Sequence, residues 1–234
     1  MISVQAVSKT YGKKKQNQFT ALKNISVDIP SKSVVAIIGK SGSGKSTLMH
    51  VMSGLDRPTS GAVVVNGQSL QAMKPKQTDN FRATQMSFIF QAFFVEANQT
   101  CYENVSLPLE IAGVPIRSRR QKIMNALMAV DLTDKAEIRA STLSGGQKQR
   151  LAIARAIVNE PRIIFADEPT GNLDSATGEQ IIDLLMGLNR EQGCTIVIVT
   201  HDPDLAERCQ YSIQMKDGQA SPLMKRRPRR MVNS

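Results

Sequence analysis

The stretch Val34-Val35-Ala36-Ile37-Ile38-Gly39-Lys40-Ser41-Gly42-Ser43-Gly44-Lys45-Ser46-Thr47 decides how this chain folds. Five apolar residues in a row read as a strand buried on both faces. The next eight match the pattern G-x-x-x-x-G-K-S/T at every fixed position. Gly39, Gly42 and Gly44 allow the backbone to turn tightly and aim N–H groups inward, past Lys40, Ser41 and Ser43. A helix expected from about Lys45 to Ser53 presents its positive end to the same point. Such a cradle binds the phosphates of a nucleoside triphosphate. Lys45 can reach the β- and γ-phosphates, Ser46 can ligate Mg²⁺, and Thr47 belongs to the same nucleotide-binding set.

Downstream, Ile163-Ile164-Phe165-Ala166-Asp167-Glu168 is an apolar strand ending in two acids. Asp167 can hold the Mg²⁺ shell. Glu168 points to the other face of the strand end, where it can polarise a water for attack on the γ-phosphorus. Between the two segments lies Leu143-Ser144-Gly145-Gly146-Gln147. Ser144 can cap a helix whose two glycines expose backbone N–H groups, giving a second anion-binding end. Taken alone, these five residues are also compatible with an ordinary helix start.

The rest of the chain supplies the scaffold. Ile2, Val4 and Ala6, then Ile25, Val27 and Ile29, alternate as strand faces around a basic loop from Gly12 to Gln18. Val63-Val64-Val65 runs into Asn66-Gly67, a strand entering a tight turn. A further strand, Met86 to Phe90, ends at Gln91. The pattern from about Ala92 to Glu160 is helical. Strand signals return at Ile163 to Ala166 and Thr195 to Thr200, separated by a helix, Ala176 to Arg190, with an apolar stripe. The expected fold is α/β: a phosphate-loop NTPase core with a mostly parallel sheet, an N-terminal antiparallel β-subdomain and an inserted helical subdomain over about 92–160. One domain is expected over 1–220, followed by a basic, disordered tail at 221–234.

Composition narrows the function classes. With 234 residues and 41% hydrophobic content the chain can bury one sizeable core. No window approaches the roughly 18 apolar residues that span a bilayer, and the N-terminus has no signal-peptide pattern. Cys101, Cys194 and Cys209 are scattered, as free thiols in a reducing compartment would be. The net charge is +10, with positive clusters at Lys13-Lys14-Lys15 and Lys225-Arg226-Arg227-Pro228-Arg229-Arg230. These clusters are either solvated or made for anionic lipid or an acidic partner. Aromatics are only 4% and Trp is absent, which leaves no base-stacking platform and argues against nucleic acid.

The combination of phosphate loop, Leu143–Gln147 and acid-tipped strand resembles the ATP-binding-cassette (ABC) ATPases. The resemblance implies that Leu143–Gln147 is the signature sequence, which closes on the γ-phosphate held by a second copy, so that ATP and Mg²⁺ are sandwiched in a homodimer. It further implies that Tyr11 stacks on adenine (a core tyrosine being the alternative), and that Gln91 contacts Mg²⁺ and the attacking water. Asn172-Leu173-Asp174 would cross the dimer interface, and His201 would contact the γ-phosphate. The segments Asp167–Asp174 and Glu103–Leu109 are most similar to the branch of macrolide-efflux and lipoprotein-releasing ATPases (MacB and LolD type), with FtsE nearby. That branch pairs with four-span, MacB/FtsX-like permeases, in some cases with an adaptor protein. The chain would then sit peripherally on the cytoplasmic face of the membrane. An importer ATPase, an FtsE-like regulator of wall hydrolysis and a DNA-repair or translation cassette are the other readings. Lys32-Ser33 stands where the branch carries Gly-Glu, and Asn98-Gln99-Thr100 where it carries Leu-Thr.

Overall fold

The computed structural model describes residues 1–12 and 17–226. The Lys13–Lys15 cluster and residues 227–234 lie outside the described residues. Contacts divide the chain into two compact units, Met1–Thr78 with Thr195–Ser234, and Asp79–Cys194.

In the first unit, β1 (Ile2–Tyr11) pairs antiparallel with β2 (Phe19–Ile29). The centre of this unit is β3 (Val34–Ile38), which feeds α1 (Lys45–Met52). β4 (Ser60–Val65) lies on the other side of β1 and turns into β5 (Gln68–Ser69). The turn uses Asn66 at φ 50° and Gly67 at φ 81°, as the Asn-Gly pair predicts.

The face expected from Ile2, Val4 and Ala6 is corrected by a bulge. Ala6 sits at φ 49°, its N–H donates to Ser26 Oγ at 2.9 Å, and it is exposed; Val7 enters the core instead. The extra residue shifts the register between Val4 and Val7. Gly61 faces this bulge, and a side chain there would meet the Ala6 carbonyl at 2.4 Å.

Lys32, where the similar branch carries Gly, has φ 59°. That region is costly for a residue with a Cβ. Lys32→Gly is therefore expected to stabilise the fold by about 0.5–1 kcal/mol, after the extra freedom of glycine in the unfolded chain is deducted. Urea melts of the two proteins check this; equal or lower midpoints for the variant would show that the turn carries no such strain.

Further along the chain, the second unit opens with most of α2 (Pro75–Gln85) and continues into β6 (Met86–Phe90). Three helices follow, α3 (Cys101–Ile111), α4 (Ile116–Met128) and α5 (Gly145–Ile157), then β7 (Ile163–Asp167) and α6 (Ser175–Gln192). β6 and β7 pair in parallel, with Phe88 stacked on Phe165 at 5.7 Å.

The helical pattern read from Ala92 begins later than expected, at Cys101. Phe94 takes φ 46°, which breaks a helix, and the buried Asn104 side chain holds residues 96–100 as a loop. Its Oδ1 accepts from Glu96 N, and its Nδ2 donates to the Glu96 and Thr100 carbonyls. Thr100 and Glu103 then form a reciprocal cap that starts α3.

Returning to the first unit, β8 (Thr195–Thr200) is parallel to β3 and fully buried. After α7 (Pro203–Arg208), β9 (Tyr211–Lys216) pairs with β3 on its other edge, also parallel. β10 (Gln219–Ala220) folds back on β9. Residues 221–226, part of the tail expected to be disordered, are ordered. Ser221 exchanges hydrogen bonds with Gln214, β11 (Met224–Lys225) pairs with Ser212 and Tyr211, and Arg226 Nε donates to Ser212 Oγ. These bonds satisfy the open edge of β9. All three cysteines are free, as expected, and all three are buried.

Candidate nucleotide site

The phosphate loop follows β3 without a break. Gly39 packs so closely that a Cβ would meet the Met215 carbonyl at 2.3 Å and Ser43 Oγ at 2.7 Å. Gly44 has φ 101°, and a Cβ there would meet the Ala21 carbonyl at 2.6 Å. A Cβ at Gly42 would meet nothing within 4 Å. Two glycines thus let the loop pack against β2 and β9, while the third lies on its open side. The turn at Asp217-Gly218 braces the loop, because Gly218 N donates to the Ser43 carbonyl at 3.1 Å and Lys23 N donates to the Gly218 carbonyl at 2.8 Å.

Two observations show that the loop suits a polyphosphate. Ser43 Oγ is buried without a hydrogen-bond partner, which ordinarily costs about 1–3 kcal/mol unless something satisfies it. The buried Lys45 ammonium curls into its own loop, donating to the Gly39 carbonyl at 2.9 Å and the Lys40 carbonyl at 3.2 Å. A phosphate oxygen offers both groups a better partner. Ser46 is exposed on the first turn of α1.

Tyr11 is 40% exposed, so the core-tyrosine alternative does not hold. Its hydroxyl donates to Asp56 Oδ2 at 2.8 Å, and Lys9 Nζ lies 4.7 Å from its ring centroid while bonding Asp56 Oδ1. Burial raises the phenol pKa, Asp56 raises it further, and a hydrogen bond with Thr47 opposes both. Burial also pushes the Asp56 carboxyl up, but Lys9, Tyr11 and the Arg57 amide outweigh it and hold the carboxyl below its usual range. Thr47, on the first turn of α1, is thus a near neighbour of the Tyr11 hydroxyl. His201 belongs to the same end of this unit: Thr200 lies opposite Ile38 in the β3–β8 register, so His201 and Gly39 leave adjacent strands together.

The second unit gathers the remaining candidates. Phe90 and Asp167 are partners in the β6–β7 register, so Gln91 and Glu168 also leave neighbouring strand ends side by side. Glu168 has φ 47°, an uncommon backbone state for a residue with a side chain, and its carbonyl accepts from Gly171 N at 3.0 Å. Gln91 Nε2 donates to Asn172 Oδ1 at 3.2 Å, and Asn172 Nδ2 donates to the Gln91 carbonyl at 2.9 Å.

The helix end at α5 is built as its sequence predicts. Ser144 Oγ accepts from Gln147 N at 3.3 Å, and Gln147 Oε1 accepts from Ser144 N at 3.0 Å. Gly145 is exposed, and a Cβ there would find only ordinary contacts at 3.8 Å, to Leu173 and Phe93. Gly146 differs, because its Cβ would strike Thr177 Cγ2 at 2.5 Å. Ser144, Gly145, Asn172, Leu173 and Asp174 line one surface hollow. Asp174 caps α6 by accepting from Thr177 N and Oγ1, interactions that hold its carboxyl below the usual range.

Gln149, in the same unit, leaves little trace in the sequence. Gln149 is fully buried and donates to the Pro169 carbonyl at 2.6 Å, which joins α5 to the turn after Glu168. The only sequence trace is a polar residue on the buried stripe of α5.

Strand, phosphate-cradling loop and helix, together with an acid-tipped strand and a capped glycine helix end, define a nucleotide-binding cassette ATPase. The family model described as ABC transporter matches residues 22–171. The chain is 42% identical over 221 residues to the ABC transporter ATP-binding protein YtrE of Bacillus subtilis, covering 93% of this chain and 96% of that protein. It is 42% identical over 222 residues to the uncharacterized ABC transporter ATP-binding protein YknY of the same organism, covering 95% and 96%. Among solved structures, the dimeric post-hydrolysis state of the ATP-binding cassette MJ0796 bound to ADP and Pi superposes with TM-score 0.87 at 38% identity, covering 97% of this chain and 99% of that one. The cassette cbiO1 from Clostridium perfringens, part of the transporter complex cbiONQ, gives TM-score 0.85 at 29% identity, covering 96% and 88%. The chain belongs to the ABC transporter family as its ATP-binding, ATP-hydrolysing subunit. Among the described residues no helix is long and apolar enough to cross a membrane.

Proposed function

We propose that two copies of this chain clamp two ATP molecules and drive a membrane permease of the MacB/LolD type, exporting peptides, antibiotics or lipoproteins. The observation that carries the pairing is the helix end at Ser144–Gln147. Ser144 and Gly145 are exposed, the capping is complete within the chain, and bare Gly145 opens onto the same hollow as the Asn172–Asp174 loop. A glycine-exposed helix N-terminus of this kind suits a phosphate presented by another molecule. The related MJ0796 cassette, dimeric with ADP and Pi, supports the same reading.

In this mechanism the loop amides, Lys45 and Ser43 grip the phosphates, Tyr11 stacks on the base, and the partner's Ser144–Gln147 end covers the γ-phosphate. Ser46, Asp167 and Gln91 offer hard oxygen donors, the type that Mg²⁺ prefers; when bound it neutralises phosphate charge. Glu168 takes a proton from water as its oxygen attacks the γ-phosphorus. The bond from that phosphorus to the β–γ bridging oxygen breaks, giving ADP and inorganic phosphate. His201 contacts the γ-phosphate and holds it in line. The nucleotide-binding domain in this reading spans residues 1–220, and the chain sits peripherally on the cytoplasmic face through its permease.

The exporter reading rests on the segments Asp167–Asp174 and Glu103–Leu109. Co-expression with candidate four-span and importer permeases tests the branch. A four-span permease should copurify and raise ATP hydrolysis, and a macrolide, peptide or lipoprotein should stimulate the complex further. Copurification only with an importer permease and a solute-binding protein would refute the exporter assignment.

A further inference from the structure

The two hydrogen bonds between Gln91 and Asn172 settle an orientation that a glutamine cannot settle alone. The Gln91 main-chain carbonyl can only accept, so the Asn172 NH₂ must face it. Asn172 Oδ1 is thereby turned toward the Gln91 side chain, where it can only accept, so the Gln91 NH₂ must face Asn172. The Gln91 carbonyl oxygen is then left as the group presented away from this turn. Gly171 completes the fit, since even a Cβ there would press on Gln91 Nε2 at 2.8 Å. The carbonyl is the end that matters, because a Mg²⁺ ion accepts oxygen donors and is repelled by an NH₂ group.

We propose that Asn172 is a positioning residue for ATP hydrolysis: it locks the amide of Gln91 so that Oε1, not the NH₂, faces the metal and attacking water. This rests on the role proposed above for Gln91. Because Asn172 lies in the loop expected at the dimer interface, the lock also lets docking of the second copy bear directly on Gln91. Both residues are exposed, so without Asn172 the Gln91 amide is free to rotate in solvent.

The test is a double-mutant cycle on the full chain with Mg·ATP. Asn172→Leu keeps the size but removes both bonds. It should lower kcat about threefold to tenfold with KM for ATP unchanged, and weaken Mn²⁺ binding to the chain held with a non-hydrolysable ATP analogue, read by electron paramagnetic resonance. Asn172→Asp keeps the acceptor for Gln91 Nε2 but loses the donor to the Gln91 main-chain carbonyl, so its activity should lie between that of Asn172→Leu and that of the native chain. Gly171→Ala, which pushes on the same amide, should mimic Asn172→Leu. In a Gln91→Ala background, Asn172→Leu should have no further effect. An equal loss in both backgrounds, or no loss in either, overturns the proposal. If Gln91→Ala alone leaves kcat and Mn²⁺ binding untouched, the role given to Gln91 fails and the lock falls with it.

Discussion

Glu168→Gln is expected to reduce ATP turnover by about 10²–10⁴-fold while leaving nucleotide affinity close to that of the native chain. The amide keeps the size of the carboxylate and cannot take a proton from water. Binding should survive because the gripping groups, Lys45 and the glycine loop, belong to a separate strand–loop–helix element. The half-buried Glu168 side chain sits on a φ of 47° that depends on the backbone and not on its charge, so the variant should fold normally. Since opening of the pair requires loss of the γ-phosphate, the variant should accumulate as an ATP-bound dimer. Multi-angle light scattering with and without ATP reads this directly. Normal turnover by the variant would remove Glu168 from the role of base.

The second large effect should come from either of two substitutions, one in each unit. Lys45→Ala removes an ammonium whose charge-assisted hydrogen bonds to phosphate are worth about 1.5–3 kcal/mol each, so ATP affinity should fall by about 10²-fold. Folding should be little affected, because among the described residues the ammonium bonds carbonyls of its own loop. Gly145→Glu should leave ATP binding intact and depress hydrolysis by at least about a hundredfold, by placing a carboxylate where the γ-phosphate of the facing copy must dock. The site accepts the side chain without strain, with nothing closer than 3.8 Å to an added Cβ. A carboxylate in the first helical turn is itself favourable to the helix. Gly146 would be the wrong choice, because loss of function there could reflect the 2.5 Å clash with Thr177.

Much of the candidate site's local geometry was legible in the sequence because it is set by neighbouring residues. The phosphate loop needs glycines where the backbone approaches β9 and β2, and the sequence has them at Gly39 and Gly44. The Ser144–Gln147 cap closes within four residues. Asp167 and Glu168 simply end an apolar run. What escaped is long-range. Gln149 reaches across twenty residues to Pro169, and Asn104 folds the loop before α3 by bonding carbonyls that no local pattern marks. The bulge at Ala6 was hidden because alternation continues through it in the sequence; only the register to Ser26 and Gly61 shows that Val7 has replaced Ala6 inside. The order of residues 221–226 was masked by their charge, since the bonds they make are mostly backbone bonds along an open strand edge.

Complementation between the two inactive variants tests the shared site most directly. Purified Lys45→Ala and Gly145→Glu chains, each inactive alone, should regain ATP hydrolysis when mixed one to one. A mixed pair joins the intact phosphate loop of one copy to the intact helix end of the other. Random pairing leaves one sound site in half of the dimers, so about a quarter of the native rate should return. A mixture as inactive as its parts, at concentrations where native chains dimerise with ATP, would contradict a site completed by the second copy.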